Sequence, residues 1–370
     1  MNKDRQHNQD SAIPVTKAMV PAPAEYGACL DQILSSRRLT NQGEFSLRLE
    51  KELAGRLRVP YVGLCANGTL ALQLGLHIAG LAGKEVVTTP FSYVATLSAL
   101  LWEGCTPVFA DIDEETLCID PASVSERLTP HTAGLLPVHI YGNVCDVDAL
   151  SRIARDAGLR VLYDAAQSFG CEFRGRSVLD FGDCAACSFH ATKVFHTVEG
   201  GGLVMHSRED RDAFALLRAC GHYGDTHVRP GINAKLSELH AAMGLCLLDR
   251  VEENIKGRKK VALGYDALLP ERGLRRPVPR PGLTCNYAYY PVIFDDERAL
   301  PRCMEALNRE NIFPRRYFYP ALNTLPYLKG ERQSCPAAES VARRVLCLPL
   351  YAELEEAVVE RIAAIVRRSL

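Results

Sequence analysis

The stretch SFHATKVFHTVEGGGLV, residues 188–204, sets one lysine, Lys193, between two short apolar runs. An aromatic residue and a histidine precede it, and a glutamate and three glycines follow. Two readings of Lys193 are open from the stretch alone. It is a solvated loop charge, or it is an amine held inside a pocket, where it can bond covalently to a carbonyl compound. Gly200, Gly201 and Gly202 let backbone pass close to something, because glycine tolerates tight approach. The surrounding pattern decides what that something is.

Outward from this stretch the chain alternates helix and strand. EFSLRLEKELAGRL (44–57) spaces Phe45, Leu49, Leu53 and Leu57 four apart, which predicts an amphipathic helix. YVGLC (61–65) is a short apolar strand, and ANGTLALQLGLHIAG (66–80) turns at Asn67–Gly68 and runs on as a helix. EVVTT (85–89), PVFADI (107–112), AGLLPVHIY (133–141), RVLYDA (160–165) and CAACSF (184–189) are further apolar runs. Most are separated by helical patterns, of which VDALSRIARDAG (147–158) is the clearest. Repeated β-then-α units with apolar strands predict a parallel sheet covered on both faces.

Past a long helical pattern over residues 237–269 the texture changes. Prolines cluster in RRPVPRPG (275–282), a strand-like YAYYPVIF (287–294) follows, then a helical RALPRCMEALNREN (298–311) and the aromatic run PRRYFYP (314–320). The final EEAVVERIAAIVRRSL (355–370) predicts an amphipathic helix. The expected organisation is an N-terminal arm over 1–35, a large α/β domain over 36–250 and a smaller α+β domain over 251–370.

Forty-three Lys and Arg balance 44 Asp and Glu, so bulk charge points to neither nucleic acid nor a membrane surface. No apolar run approaches the roughly 18 residues a membrane span needs. MNKDRQHNQDSAIP (1–14) lacks the apolar core of a secretory signal, so a cytoplasmic location is expected. The 14 cysteines are scattered through apolar segments and read as small buried hydrophobes of a reducing compartment. Cys184 and Cys187 form a lone C-x-x-C inside a predicted strand, without the second ligand pair a zinc site wants, and no metal site is expected.

In open α/β sheets ligands sit beyond the carboxyl ends of the strands, and four segments put polar residues there. At ANGTLAL (66–72) a small-residue turn opens a helix, and the N–H groups of Gly68, Thr69 and Leu70, backed by the helix dipole, suit a phosphate; an ordinary turn reads the same way. At VLYDAAQS (161–168) Asp164 closes an apolar strand. It either caps the next helix or meets a cation, for which a protonated pyridine nitrogen would serve. Gln167 beside it can hydrogen-bond a phenolate oxygen. At the opening stretch Ser188 can donate to phosphate ahead of Lys193, while His190 and His196 read as structural histidines. At PFSYVATLSAL (90–100) Tyr93 or Phe91, with Tyr93 preferred, offers a flat face to an aromatic ring. A phosphate cradle, a stacking aromatic, a carboxylate for a ring nitrogen and a lysine together match the needs of pyridoxal 5′-phosphate.

NGTLALQLGLH (67–77), TTPFSYVATLSAL (88–100), PVFADIDEETLCIDP (107–121), LPVHIYGNVCDVDAL (136–150), YDAAQSFG (163–170), SFHATKVFHTVEGGG (188–202) and GINAKLSELHAAMGL (231–245) resemble the DegT/DnrJ/EryC1/StrS aminotransferases, from about residue 36 to the C-terminus. The resemblance implies the fold type I architecture, an obligate homodimer with shared active sites, and amination of nucleotide-linked keto-sugars with L-glutamate as donor. Carried over, it makes Lys193 the Schiff-base lysine and acid/base, Asp164 the pyridinium partner and Gln167 the neighbour of the phenolate. It puts Gly68, Thr69 and Ser188 on the phosphate, Tyr93 on the ring, and Asn233 on the phosphate from the other subunit. Relatives with histidine in place of the lysine are sugar dehydratases; the lysine here argues for transamination. Within the family, RRLTNQG (37–43), SFHATKVFHTVEGG and PRRYFYP are most similar to the dTDP-4-amino-4,6-dideoxyglucose aminotransferases. Arg315, Arg316 and Tyr317 then meet the substrate's phosphates or sugar, or else the arginines pair with surface carboxylates. Two rival readings are a regulator that binds the cofactor without turnover and a cysteine-persulfide enzyme using Cys335; the proline after Cys335 and the absence of a glycine-rich loop count against the second.

Overall fold

The apolar runs of the first two-thirds of the chain become seven strands of one sheet in the computed structural model, which describes residues 12–330 and 332–370. The strands are β1 (Tyr61–Cys65), β2 (Glu85–Thr88), β3 (Thr106–Phe109), β4 (Thr132–Leu136), β5 (Arg160–Asp164), β6 (Cys184–Ser188) and β7 (Gly201–Met205), in the spatial order β1-β7-β6-β5-β4-β2-β3. All pairings are parallel except those of β7, which runs antiparallel to both β1 and β6. The inner strands are buried almost throughout, as their continuous apolar sequences require of a sheet covered on both faces.

The reversed direction of β7 is what positions the site. Its first residue, Gly201, pairs with Cys65 at the end of β1 and with Ser188 at the end of β6. Asp164, ending β5, pairs with Ala186. The carboxyl ends of β1, β5 and β6 and the amino end of β7 therefore share one edge of the sheet. A Cβ at Gly201 would lie 2.3 Å from the Asn67 carbonyl oxygen, so only glycine lets β7 start this close to the turn after β1.

Helices cover the two faces. The chain-order helices are α1 (Pro23–Ser36), α2 (Glu44–Leu57), α3 (Gly68–Ile78), α4 (Val94–Trp102), α5 (Pro121–Arg127), α6 (Val147–Ala157), α7 (Arg208–Leu217), α8 (Glu238–Leu248), α9 (Val251–Leu268), α10 (Ala299–Arg309), α11 (Pro336–Arg344) and α12 (Glu356–Ser369). The stripe predicted for α2 is the one it buries: Phe45, Leu49, Leu53 and Leu57. Each fully buried leucine contributes about 1.5–3 kcal/mol, and truncating Leu53 to alanine would cost about 2–5 kcal/mol. The N-cap of α2 is Gly43, which has no side chain to offer. Glu238, buried at the start of α8, accepts instead from the amides of Phe45 and Ser46. A side chain at Gly43 would collide with that carboxylate, 2.5 Å from its Oε2.

Two sequence expectations need correction. The helical pattern over 237–269 is two helices, broken at Asp249–Arg250 without glycine or proline. The break lets α8 lie buried against α1 and α2, while α9 leaves to pack against α12. The stretch expected as an arm over 1–35 is built into the fold from residue 12 on; its first eleven residues lie outside the described residues. Ile13–Pro14 pairs in parallel with Ile312–Phe313. Helix α1 packs on α8, where the Tyr26 hydroxyl donates to the Leu239 carbonyl at 3.1 Å and Glu25 pairs with Arg250.

A second core gathers around the antiparallel strands β8 (Leu274–Arg275), β9 (Tyr290–Phe294) and β10 (Val345–Leu348), in the order β8-β9-β10. Tyr265, Tyr290, Phe294, Leu307, Ile362 and Val366 form it, and Ile13 joins it from the N-terminal segment. Arg258 on α9 ties the N-terminal segment to this unit. It is buried and donates to the carbonyls of Ala288 and Leu350 and to the Thr16 hydroxyl; burial pulls its pKa down to about 10. The stretch between the small strands also returns to the large sheet. Phe318, Ala321 and Leu322 share a core with Phe91 and Tyr141, and the Asp111 carboxylate accepts from the first amides of α11, those of Ala337 and Ala338, at 2.9 Å each.

Candidate active site

The shared sheet edge opens into a cavity of about 280 Å³, just below the range of small-molecule sites, about 300–1,000 Å³. Gly68, Thr69, Tyr93, Asp164, Gln167, Ser188, Lys193, Arg315 and Tyr317 all line it, although they are drawn from segments far apart in sequence.

Lys193 is delivered by a loop that is anchored on both sides. Its own N–H donates to the His190 carbonyl at 2.9 Å, closing a turn. Phe189 N–H donates to Gly200 and Thr197 N–H to Phe189, so the ends of the loop are tied together. Val194 and Phe195 are buried, Phe195 stacking on Phe169 at 4.7 Å. With its neighbours pinned this way, the lysine side chain turns into the cavity. Its Nζ donates to the Tyr289 hydroxyl at 3.1 Å. Burial works to lower the pKa of this ammonium, but the Tyr289 oxygen, the Asp164 carboxylate and Tyr317 outweigh it, and the net displacement is upward.

Asp164 is buried at the end of β5. Its Oδ2 accepts from the Thr96 hydroxyl at 2.7 Å and its Oδ1 from the Ala166 amide at 3.1 Å. Among the described residues it belongs to no ion pair. Burial pushes its carboxyl above the usual range, against the opposing pull of Thr96, the Ala166 amide and Lys193. A buried carboxylate that faces a cavity and makes no direct ion pair is suited to receive a cation there.

The third wall is the start of α3. Asn67 caps the helix by accepting from the Leu70 amide at 2.9 Å. The amides of Gly68 and Thr69 precede the first intrahelical bonds and carry the positive end of the helix dipole. A Cβ at Gly68 would stand 2.7 Å from the Ser188 Cβ and 3.1 Å from its Oγ, so only glycine lets the helix start abut the Ser188 hydroxyl. Gln167 has its Oε1 occupied by the Tyr141 amide at 2.7 Å, which leaves its NH₂ as the free donor. Tyr93 is the N-cap residue of α4 and is 57% exposed, with its ring free to cover a planar ligand.

Other expected residues lie elsewhere. Arg316 does not line the cavity: its guanidinium sits 3.5 Å over the Tyr319 ring and donates to the carbonyls of Ala342 and Arg343. Asn233 is exposed outside the cavity and accepts from Lys235 at 2.7 Å. His196 is buried against the Met19 carbonyl at 2.6 Å and holds the N-terminal segment, whereas His190 lines the cavity beside Glu199. Cys335 is buried away from the cavity, with its thiol pushed up to about 12 by burial, the opposite of the exposed, low-pKa thiol that persulfide chemistry needs.

Sequence reasoning missed Tyr289 and Phe318, which line the cavity, and Thr96, which is buried and donates to Asp164. Thr96 was legible only in part: it lies three residues after Tyr93, one turn into α4. Tyr289 lies 96 residues from Lys193 in sequence, and no local pattern marks it.

Sheet, cavity and lysine loop together define an enzyme of the fold type I aminotransferase class. The chain belongs to the DegT/DnrJ/EryC1/StrS aminotransferase family, whose model matches residues 24–367. It is 39% identical over 364 residues to the dTDP-4-amino-4,6-dideoxy-D-glucose transaminase of Shigella dysenteriae, covering 97% of this chain and 99% of that protein. It is 37% identical over 366 residues to the enzyme of the same name from Escherichia coli, covering 95% and 97%. The structure is similar to that of DesI, solved in the presence of its TDP-sugar product, with a TM-score of 0.92, 33% identity and coverage of 97% and 93%.

Proposed function

We propose that this protein is a pyridoxal 5′-phosphate-dependent aminotransferase that passes the amino group of L-glutamate to dTDP-4-keto-6-deoxy-D-glucose, giving dTDP-4-amino-4,6-dideoxy-D-glucose. The observation that carries the reading is the meeting of three unlike groups in one cavity: the Lys193 amine, the buried Asp164 carboxylate and the α3 N-terminus with Ser188. The relatives' activities give the sugar.

The residues fit the cofactor. Asp164 would supply the anion a pyridinium nitrogen requires, the Gly68 and Thr69 amides with Ser188 would hold its phosphate, Gln167 would donate to its phenolate oxygen, and Tyr93 would cover its ring. Pyridoxal phosphate supplies an aldehyde and an electron-accepting ring. Lys193 would anchor it, and once displaced by the incoming amine its free Nζ would take the proton from Cα of glutamate. On the second substrate the same amine would return a proton to the sugar carbon that gains nitrogen. Arg315, exposed at the cavity mouth, and Tyr317 are the groups for the sugar nucleotide; Arg316 is turned away.

Asn233 would act on the phosphate from the partner subunit of a homodimer. The exposed Val228 and Ile232 beside it suit a subunit interface. All fourteen cysteines are unpaired, which suits the reducing cytoplasm; no helix among the described residues is long and apolar enough to cross a membrane.

Mass spectrometry of products from dTDP-, UDP- and GDP-linked keto-sugars with glutamate tests the proposal. A 4-amino-4,6-dideoxy product from the dTDP substrate is expected. Amination of a 3-keto, UDP- or GDP-linked sugar instead would overturn the assigned substrate. Cofactor binding without any 2-oxoglutarate would mark a regulator and overturn the enzyme reading.

A further inference from the structure

Among the described residues Tyr289 is the one side chain that hydrogen-bonds the Lys193 amine, and it comes from outside every segment that suggested the site. Its hydroxyl accepts from Nζ at 3.1 Å. The nitrogen lies 5.7 Å from the ring centroid, so the contact is made at the hydroxyl rather than over the ring face. The ring is itself fixed from two sides: Tyr141 meets it edge-on at 5.7 Å and Tyr317 at 5.6 Å. Those two are held in turn, since the Tyr141 hydroxyl donates to the Tyr317 carbonyl and Tyr141 stacks on Phe318. A tyrosine braced this way keeps its hydroxyl in place without help from the ligand.

We propose that Tyr289 is a positioning residue for Lys193. Its braced hydroxyl holds the free amine at the cavity wall, aimed into the cavity, by accepting from Nζ. The inference rests on the reading of Lys193 as the reacting amine. Among the described residues the other titratable or charged groups lining the cavity are Tyr93, Asp164, His190, Glu199, Arg315 and Tyr317. Burial alone would favour the neutral amine; the Tyr289 oxygen is the largest opposing influence, ahead of Asp164. Removing the hydroxyl should therefore free the neutral amine at lower pH.

The test follows Lys193 itself. Full-length wild type, Tyr289→Phe and Tyr289→His, prepared without added cofactor, are treated with an acylating reagent across pH, and labelling of the Lys193 peptide is read by mass spectrometry. The high-pH plateau reports access to the amine, and the midpoint reports its proton. In Tyr289→Phe the midpoint should move down, with labelling about tenfold faster at neutral pH and an unchanged plateau. The histidine variant, which keeps a polar ring atom, should recover part of the wild-type profile. In the loaded enzyme Tyr289→Phe should lower kcat about tenfold with little change in the KM for glutamate. A Tyr289→Phe labelling profile superimposable on wild type, or a midpoint moved upward, would overturn the proposal. The labelling needs no cofactor, so that failure is distinct from a failure of the aminotransferase reading, which would show as absence of product from the wild-type enzyme.

Discussion

Replacing Thr96 with valine tests how the buried carboxylate at the centre of the cavity is held. The Thr96 hydroxyl has one hydrogen, and Asp164 Oδ2, 2.7 Å away, can only accept it when ionised. Ser92, 2.7 Å on the other side, must therefore donate to Thr96. Valine keeps the shape and removes both bonds. A hydrogen bond to a charged group contributes about 1.5–3 kcal/mol. Unfolding entropy near 2.1 cal/mol/K per residue, over 370 residues, is roughly 0.8 kcal/mol/K, so the melting temperature should fall by about 2–4 °C. The loss must also depend on pH. Burial raises the Asp164 pKa on folding, so its ionisation opposes folding. That opposition is absent below the unfolded value of about 3.9 and grows as pH rises through the folded one. The Thr96 bond favours the ionised form and offsets part of the opposition. The variant's deficit should thus be full at about pH 8 and shrink as pH falls through the raised Asp164 value. Calorimetry of Thr96→Val and Thr96→Ser over that range reads it, with serine expected to restore most of the loss. An equal deficit at every pH, or a serine variant no better than valine, would refute the reasoning.

Two further perturbations separate the ends of the cavity. Gly68→Val puts a Cβ 2.7 Å from that of Ser188 and 3.2 Å from its Cα, and overpacking of this kind costs about 1–3 kcal/mol. It should weaken pyridoxal phosphate binding about tenfold or more in an absorbance titration while leaving the circular dichroism unchanged; unaltered binding would contradict the phosphate cradle. Arg315→Met removes a charge at the mouth, worth about 1.5–3 kcal/mol if it meets the sugar nucleotide's phosphates. The KM for the keto-sugar should rise about tenfold or more, with the glutamate half-reaction unchanged; equal slowing of both half-reactions would contradict that role.

The sequence carried the fold where each element announced itself. The four-residue spacing of Phe45, Leu49, Leu53 and Leu57 is a statement about one helix face, and the apolar strands 160–164 and 184–188 could only be buried on both sides. The residues at their ends, Asp164 and Ser188, were expected beside a ligand because strand ends are where a sheet of this kind binds, and both line the cavity. Helix α1 was read as an arm, although Pro23 at its start and Tyr26, Cys29 and Ile33 at helical spacing were available as signals. The break between α8 and α9 had no signal at all, because tertiary packing, not a breaker residue, ends α8. Thr96 and Tyr289 belong to the same class. Their roles depend on how α4 and the segment before β9 are set against Asp164 and Lys193, and a chain read one segment at a time holds no record of that register.

The central claim is that Lys193 forms the covalent link to the cofactor opposite Asp164. Borohydride reduction of the protein loaded with pyridoxal phosphate, followed by proteolysis and peptide mass spectrometry, tests it directly. One pyridoxyl group per chain, confined to the peptide that contains Lys193, is the expected result. A label on another lysine, or spread over surface lysines with Lys193 unmodified, would contradict the account.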